Sequence, residues 1–212
     1  TPRFYCPSPL REIAHLPVTP AKALVRGAGL GVRMRPLTDR MPKPLVPVAG
    51  RALLDHVLDK LGDAGVTEAV VNVHYLPDQI IDHVASRTHP RVIISDERDE
   101  VLGTGGGVVK ALPLLGTAPF FHVNADTLWL DGVRPNLARL AAAFEPSRMD
   151  ILLLTAPPTT LIGSGGPGRC PTPAPAPPRP PPRPQAAPVR PAGADVLSPP
   201  LFARATPRPS AG

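Results

Sequence analysis

The feature that most narrows the fold is a succession of short, continuously apolar runs separated by segments of helical period. Ala23-Leu24-Val25, AVVNVHY at 69–75, RVIIS at 91–95, PFFHVNA at 119–125 and Ile151–Leu154 each read as a buried strand. Between them, residues 51–64 set Leu53, Leu54, Val57, Leu58 and Leu61 on one helical face, with Gly65 suited to stop the helix. Residues 77–86, opened by Pro77, and residues 105–112 and 135–144 read as further helices. Strands that are apolar on both faces must be covered twice. Their alternation with helices therefore predicts a three-layer α/β domain, a Rossmann-like open sheet that is mostly parallel. Ligands of such sheets sit at the carboxyl ends of the strands, so the loops that follow strands are where chemistry is sought.

That pattern occupies residues 21–162, enough for one domain with a real core. Residues 1–20 carry five prolines and no periodicity, and are expected to form an irregular leader. Of the chain's 33 prolines, 16 fall in residues 163–212, a stretch with six Arg, no Lys and Asp195 as its one acid. Proline lacks the N–H and fixes φ, so this truncates the domain pattern and predicts a disordered, Pro/Arg/Ala-rich low-complexity tail. The tail also holds +5 of the overall +6 charge, so the basicity does not point to a nucleic-acid or membrane partner. No apolar run approaches the ~18 residues of a membrane span. Cys6 and Cys170 make neither a disulfide framework nor a zinc pattern, and the expectation is a reduced, cytoplasmic protein.

The loop after the first strand reads Gly27-Ala28-Gly29-Leu30-Gly31-Val32-Arg33-Met34-Arg35. Glycines let a backbone approach a ligand closely and aim successive N–H groups at an anion. A dinucleotide fingerprint would need a third Gly where Met34 stands, and no Gly-Lys-Ser/Thr follows to make a P-loop. Arg33, Arg35 and Lys43 lie just beyond, as a polyphosphate site requires. On glycine spacing alone, an ordinary strand-to-helix turn with solvated cations fits equally well. Asp126, after the fourth strand, reads either as a turn or cap aspartate or as a ligand for a cation.

Longer strings decide between these. R-G-A-G-L-G-V-R-M-R-P-L-T, then Met41-Pro42-Lys43-Pro44-Leu45, resembles the signature of the sugar-1-phosphate nucleotidyltransferases. The resemblance continues through VVNVHY, ISDE, LGTGGGVVKALPLL and VNADTLWLDG, over roughly residues 22–162. It is nearest to the bacterial N-acetylmuramate-1-phosphate uridylyltransferase group, with mannose-1-phosphate guanylyltransferases as neighbours. The resemblance implies transfer of a nucleoside monophosphate from a nucleoside triphosphate, UTP favoured and GTP second, to a sugar-1-phosphate, with release of pyrophosphate and with Mg²⁺. It implies nucleotide contacts from Gly29, Gly31, Gly103, Thr104 and Gly105, catalytic roles for Arg33 and Lys43, and metal binding by Asp126. It further implies a place in nucleotide-sugar supply or cell-wall recycling.

The chain departs from that signature at Arg26, Gly27 and Val32, and Gly103 fits the broader L-G-T form better than the uridylyltransferase one. The stretch that completes the sugar pocket and supplies a second acidic ligand in the family is here replaced by the Pro-rich tail. Residues 192–203, AGADVLSPPLFA, are faintly similar to the family's later strand. A shift of reading frame near residue 163, largely undone near residue 192, accounts for both. Two other readings remain open: a nucleotide-binding chain without turnover, and an interaction module working through the tail.

Overall fold

In a computed structural model, the structure describes residues 4–5, 19–100, 102–156 and 190–203. Among the described residues, nine strands and five α-helices follow in the order β1 (Phe4–Tyr5), β2 (Lys22–Arg26), β3 (Pro47–Val48), β4 (Arg51–Ala52), α1 (Leu53–Asp63), β5 (Glu68–Val73), α2 (Pro77–Val84), β6 (Arg91–Asp96), α3 (Gly103–Leu115), β7 (Phe120–Asn124), α4 (Asn136–Ala143), β8 (Ile151–Ala156), β9 (Arg190–Leu197) and α5 (Pro200–Ala203). Seven strands form one sheet in the order β1-β8-β9-β7-β2-β5-β6, and β3 with β4 makes a small hairpin.

The sheet is covered on both faces because its strands are apolar on both. In β2, Ala23, Leu24 and Val25 are all fully buried, and they divide between two clusters. Ala23 and Val25 join Leu54, Leu58 and Leu61 of α1, Ile80 of α2, and Leu137 and Leu140 of α4. Leu24 instead meets Val108, Ala111 and Leu115 of α3. Helix, sheet and helix are thus the three expected layers. The pairs β2–β5, β5–β6 and β2–β7 are parallel, so the carboxyl ends of β2, β5, β6 and β7 meet along one edge.

Two expectations about the ends of the chain need correction. Phe4–Tyr5, expected in an irregular leader, pair in parallel with Ile151 and Leu152. Residues 190–203, expected in a disordered tail, form β9 and α5, and β9 lies inside the sheet, antiparallel to both β7 and β8. Composition misleads here because β9 needs few residues to pack. Ala194 and Val196 enter the larger cluster and Leu197 the smaller. Pro191 stands beside the irregularity between Leu153 and Thr155, a place where a missing N–H costs little. The stretch APPRPPPRP and Cys170 lie outside the described residues, as do 163–189 as a whole. Among the described residues, no helix is long and apolar enough to cross a membrane.

Candidate active site

Parallel register places Asn72 of β5, Arg26 of β2 and Asn124 of β7 on one rung at the ends of three neighbouring strands. Together they floor a cavity of about 290 Å³. The loop after each strand supplies its walls, and five of its lining residues, Gly27, Ala28, Gly29, Lys43 and Pro44, come from the segment between β2 and β3.

Local sequence explains the shape of that segment. The Gly27 N–H donates to Asn72 Oδ1 at 2.8 Å, anchoring the loop as it leaves the strand. Gly31 has φ +65, and a Cβ there would come within 2.9 Å of Thr38 Cγ2, so only glycine fits. Buried Thr38 donates its hydroxyl to the Gly31 carbonyl at 2.8 Å, and Tyr75 donates to the Thr38 carbonyl at 2.9 Å. Three short 3₁₀ turns, Val32–Met34, Leu37–Asp39 and Lys43–Leu45, then return the chain to the cavity. There the Lys43 ammonium contacts Asp126 Oδ2 directly.

The opposite wall is the start of α3. Gly103 has φ +65 with open space where a side chain would lie, and Thr104 accepts a hydrogen bond from the Arg26 guanidinium at 2.8 Å. The first N–H groups of a helix have no partner within it, which suits this end to an anionic or polar ligand. Arg26, where the signature has an apolar residue, therefore lines the cavity and does not enter the core.

Asp126 is held by the loop that follows β7. Asp131 Oδ2 takes the Lys60 ammonium at 2.5 Å, and its Oδ1 accepts the Asn136 backbone N–H at 2.8 Å. Burial pushes the Asp131 carboxyl up, but the Asn136 amide and the Lys60 ammonium together outweigh it, and its pKa falls below the ordinary value. Lys60 also lies over the Trp129 ring, 5.7 Å from its centre, and Trp129 packs on the larger core cluster. From the other side β9 presses on the same loop. At Gly193, with φ +77, a Cβ would stand 2.5 Å from Thr127 Oγ1.

Of the residues expected from sequence, Gly29, Lys43, Gly103, Thr104 and Asp126 line this one cavity. Gly31, Gly105 and the exposed Arg33 do not; Gly31 shapes the loop, and Arg33 stands on its outer turn. Asn72, Glu97 and Asn124 also line it; they lie in the strings VVNVHY, ISDE and VNADTLWLDG, but the resemblance assigns them no role. Their signal is position, since Asn124 ends a strand, Glu97 directly follows one and Asn72 is the last residue but one of β5. Among the described residues, no group of three or more His, Cys, Asp or Glu side chains is arranged to hold a metal.

A family model described as the MobA-like NTP transferase domain matches residues 23–206. The chain belongs to that family. Its match runs through β9, which agrees with the place of that strand in the sheet. The N-acetylmuramate alpha-1-phosphate uridylyltransferase of Caulobacter vibrioides is 49% identical over 148 residues, covering 68% of this chain and 61% of that protein. The enzyme of the same name from Neisseria meningitidis is 47% identical over 109 residues, 50% of this chain and 47% of that one. This member of the family thus spans about half to three fifths of the length of these relatives. Among solved structures, the inositol-1-phosphate CTP transferase from T. maritima superposes with a TM-score of 0.68 at 18% identity, over 89% of this chain and 74% of that one. A UDP-glucose pyrophosphorylase complexed with UDP-glucose does so at 0.64 and 15% identity, over 86% and 77%. These two likenesses concern the fold, which is that of nucleotide-diphospho-sugar transferases.

Proposed function

We propose that this chain transfers a nucleoside monophosphate from a nucleoside triphosphate, UTP favoured over GTP, to a sugar-1-phosphate, releasing pyrophosphate. The carrying observation is the meeting of Lys43 and Asp126 in a cavity walled by a glycine loop and a helix N-terminus. The identity to the uridylyltransferases supports UTP. In this reaction a phosphate oxygen of the sugar-1-phosphate attacks the α-phosphorus, a new P–O bond forms, and the bond to the bridging oxygen of the pyrophosphate breaks. Little covalent chemistry falls to the protein, whose work is alignment and charge neutralisation.

Each side chain has a part in that work. Backbone N–H groups at Ala28 and Gly29 receive the phosphates, while Gly103, Thr104 and the start of α3 hold the base and ribose. Lys43 neutralises charge between the two phosphates brought together. Arg33 closes over the triphosphate and the departing pyrophosphate from its outer turn. Asp126 already faces a cation, the Lys43 ammonium, so the carboxylate suits a positive ligand. Mg²⁺ is bound through one or two carboxylates together with substrate phosphates, and one carboxylate at this cavity edge fits that habit. When bound there it would supply charge neutralisation at the phosphate oxygens. The setting is cytoplasmic, in nucleotide-sugar supply or cell-wall recycling.

A screen of pyrophosphate release across four nucleoside triphosphates and a panel of sugar-1-phosphates tests this reading. Release that depends on Mg²⁺ and disappears in Lys43→Ala and Asp126→Ala supports it. Release that survives both substitutions removes these residues from the chemistry. A second reading, nucleotide binding without turnover, is favoured by the scarcity of acids: besides the buried Glu97, Asp126 is the one acid among the described lining residues. A thermal shift with UTP and Mg²⁺, without pyrophosphate release for any sugar-1-phosphate, would establish it.

A further inference from the structure

Beneath the glycine loop lies a polar chain to whose residues the family resemblance assigns no role. Glu97, just beyond β6, is 1% exposed, and Asn72 is 5% exposed. Asn72 Nδ2 donates to Glu97 Oε1 at 2.8 Å, while Asn72 Oδ1 accepts from the Gly27 N–H at 2.8 Å. Among the described residues Glu97 has no ion pair. The backbone of Glu97 is itself pinned, its N–H to the Val73 carbonyl at 2.7 Å and its carbonyl to His74 Nδ1 at 2.7 Å. Two glycines approach this chain closely. A Cβ at Gly107 would lie 2.8 Å from both Asn72 Nδ2 and Glu97 Oε1, and one at Gly27 would lie 2.8 Å from the Asn72 carbonyl oxygen.

We propose that Glu97 is a positioning residue that fixes the donor–acceptor sense of Asn72 and so holds the Gly27 end of the nucleotide loop. A carboxylate only accepts hydrogen bonds, whereas an Asn amide has one donating and one accepting end. Facing Glu97, the amide must present its NH₂, and its oxygen is then the only end left for the Gly27 N–H. A flipped amide would set oxygen against carboxylate and NH₂ against N–H, leaving buried groups unpaired on both sides. The Gly27 N–H is thereby used up, and the next residues, Ala28 and Gly29, line the cavity. This inference rests on the nucleotide-transfer reading for its functional consequence, but the polarity of the chain can be measured without turnover.

The test exchanges the polarity while keeping the shapes. Asn72→Asp sets two carboxylates against each other, and Glu97→Gln removes the constraint on the amide. The double variant Asn72→Asp/Glu97→Gln restores it. Its new amide at position 97 can donate to the new carboxylate at position 72, whose other oxygen accepts from the Gly27 N–H. In the full chain the expected result is a rise in KM for UTP of about tenfold in each single variant, with kcat changed much less. The double variant should return to within about threefold of the parent. Hydrogen exchange at the Gly27 amide should quicken in Glu97→Gln and slow again in the double variant. A double variant no better than Asn72→Asp would overturn the proposal, as would a Glu97→Gln variant unchanged in both KM and Gly27 exchange. If Asn72→Asp does not fold, Glu97→Gln and the double variant carry the comparison. If the parent chain turns over no substrate, the nucleotide-transfer reading fails, and the Gly27 amide still decides the positioning role.

Discussion

The same three strands carry polar residues at both ends, and the two ends do opposite things. At the amino-terminal edge Lys22, Glu68 and Arg91 occupy one rung of β2, β5 and β6. Lys22 reaches Glu68 Oε2 at 2.9 Å, and the Arg91 guanidinium contacts the other carboxylate oxygen. Arg91 first, then Lys22, pull the Glu68 pKa down to about 2. Every charge there answers another. Four residues later on each strand, Arg26, Asn72 and Ser95 share the next polar rung, with Asn124 beside Arg26 on β7. There the side chains hold backbone and one another, Asn72 to Gly27 and Arg26 to Thr104, around a space they do not fill. Register alone aligns polar groups; whether they make a seam or a site depends on whether they satisfy each other.

The contrast can be broken most sharply at the cavity. Replacing Lys43 or Asp126 by Ala should cut pyrophosphate release by about 10²–10³-fold, the cost of losing a preorganised charge in such a site. Arg91→Ala at the other edge should leave release unchanged in the same assay. Next in size is β9, which presses Gly193 on the Asp126 loop and buries Val196 in the core. Val196→Asp should cost about 3 kcal/mol in urea unfolding through burial of an unpaired charge. A loss near zero would show that β9 is dispensable to the sheet.

Two glycines of α3 give opposite signs. Gly107→Ala should destabilise by about 1–3 kcal/mol, since its Cβ meets Asn72 and Glu97. Gly105 has open space around it and does not line the cavity, so Gly105→Ala should add up to about 1 kcal/mol of helix stability and leave UTP binding unchanged. Thermal unfolding with and without UTP measures both. The smallest effect belongs to the amino-terminal edge. Because the folded-state pKa of Glu68 is depressed from 4.5 to about 2, its stabilisation is fully present above about pH 4.5 and is lost as pH falls through about 2. Glu68→Gln should therefore flatten the stability profile in that window and nowhere above it, as followed by circular dichroism.

Much of this was readable in advance where the signal is local. The face of Leu54, Leu58 and Leu61, the stop at Gly65 and the runs that became β2, β5, β6, β7 and β8 depend on neighbours within a few residues. Lys43 and Asp126 could be chosen from their motifs, although 83 positions separate them. The relay from Glu97 through Asn72 to Gly27 could not, because VVNVHY and ISDE contain its members without saying that side chains 25 positions apart meet. β9 showed only as the faint family likeness over residues 192–203, since proline and glycine in RPAGADVL argue locally against a strand that its neighbours nevertheless accept.

The sequence by itself determined a parallel α/β sheet, the glycine loop and the family signature, because periodicity and motif spacing are short-range properties. Tertiary structure decided which polar ends face a cavity, which way the Asn72 amide points, and where residues 190–197 insert. Those outcomes depend on register between segments far apart in the chain, where one strand's partners are set by burial and hydrogen bonding that no local window contains.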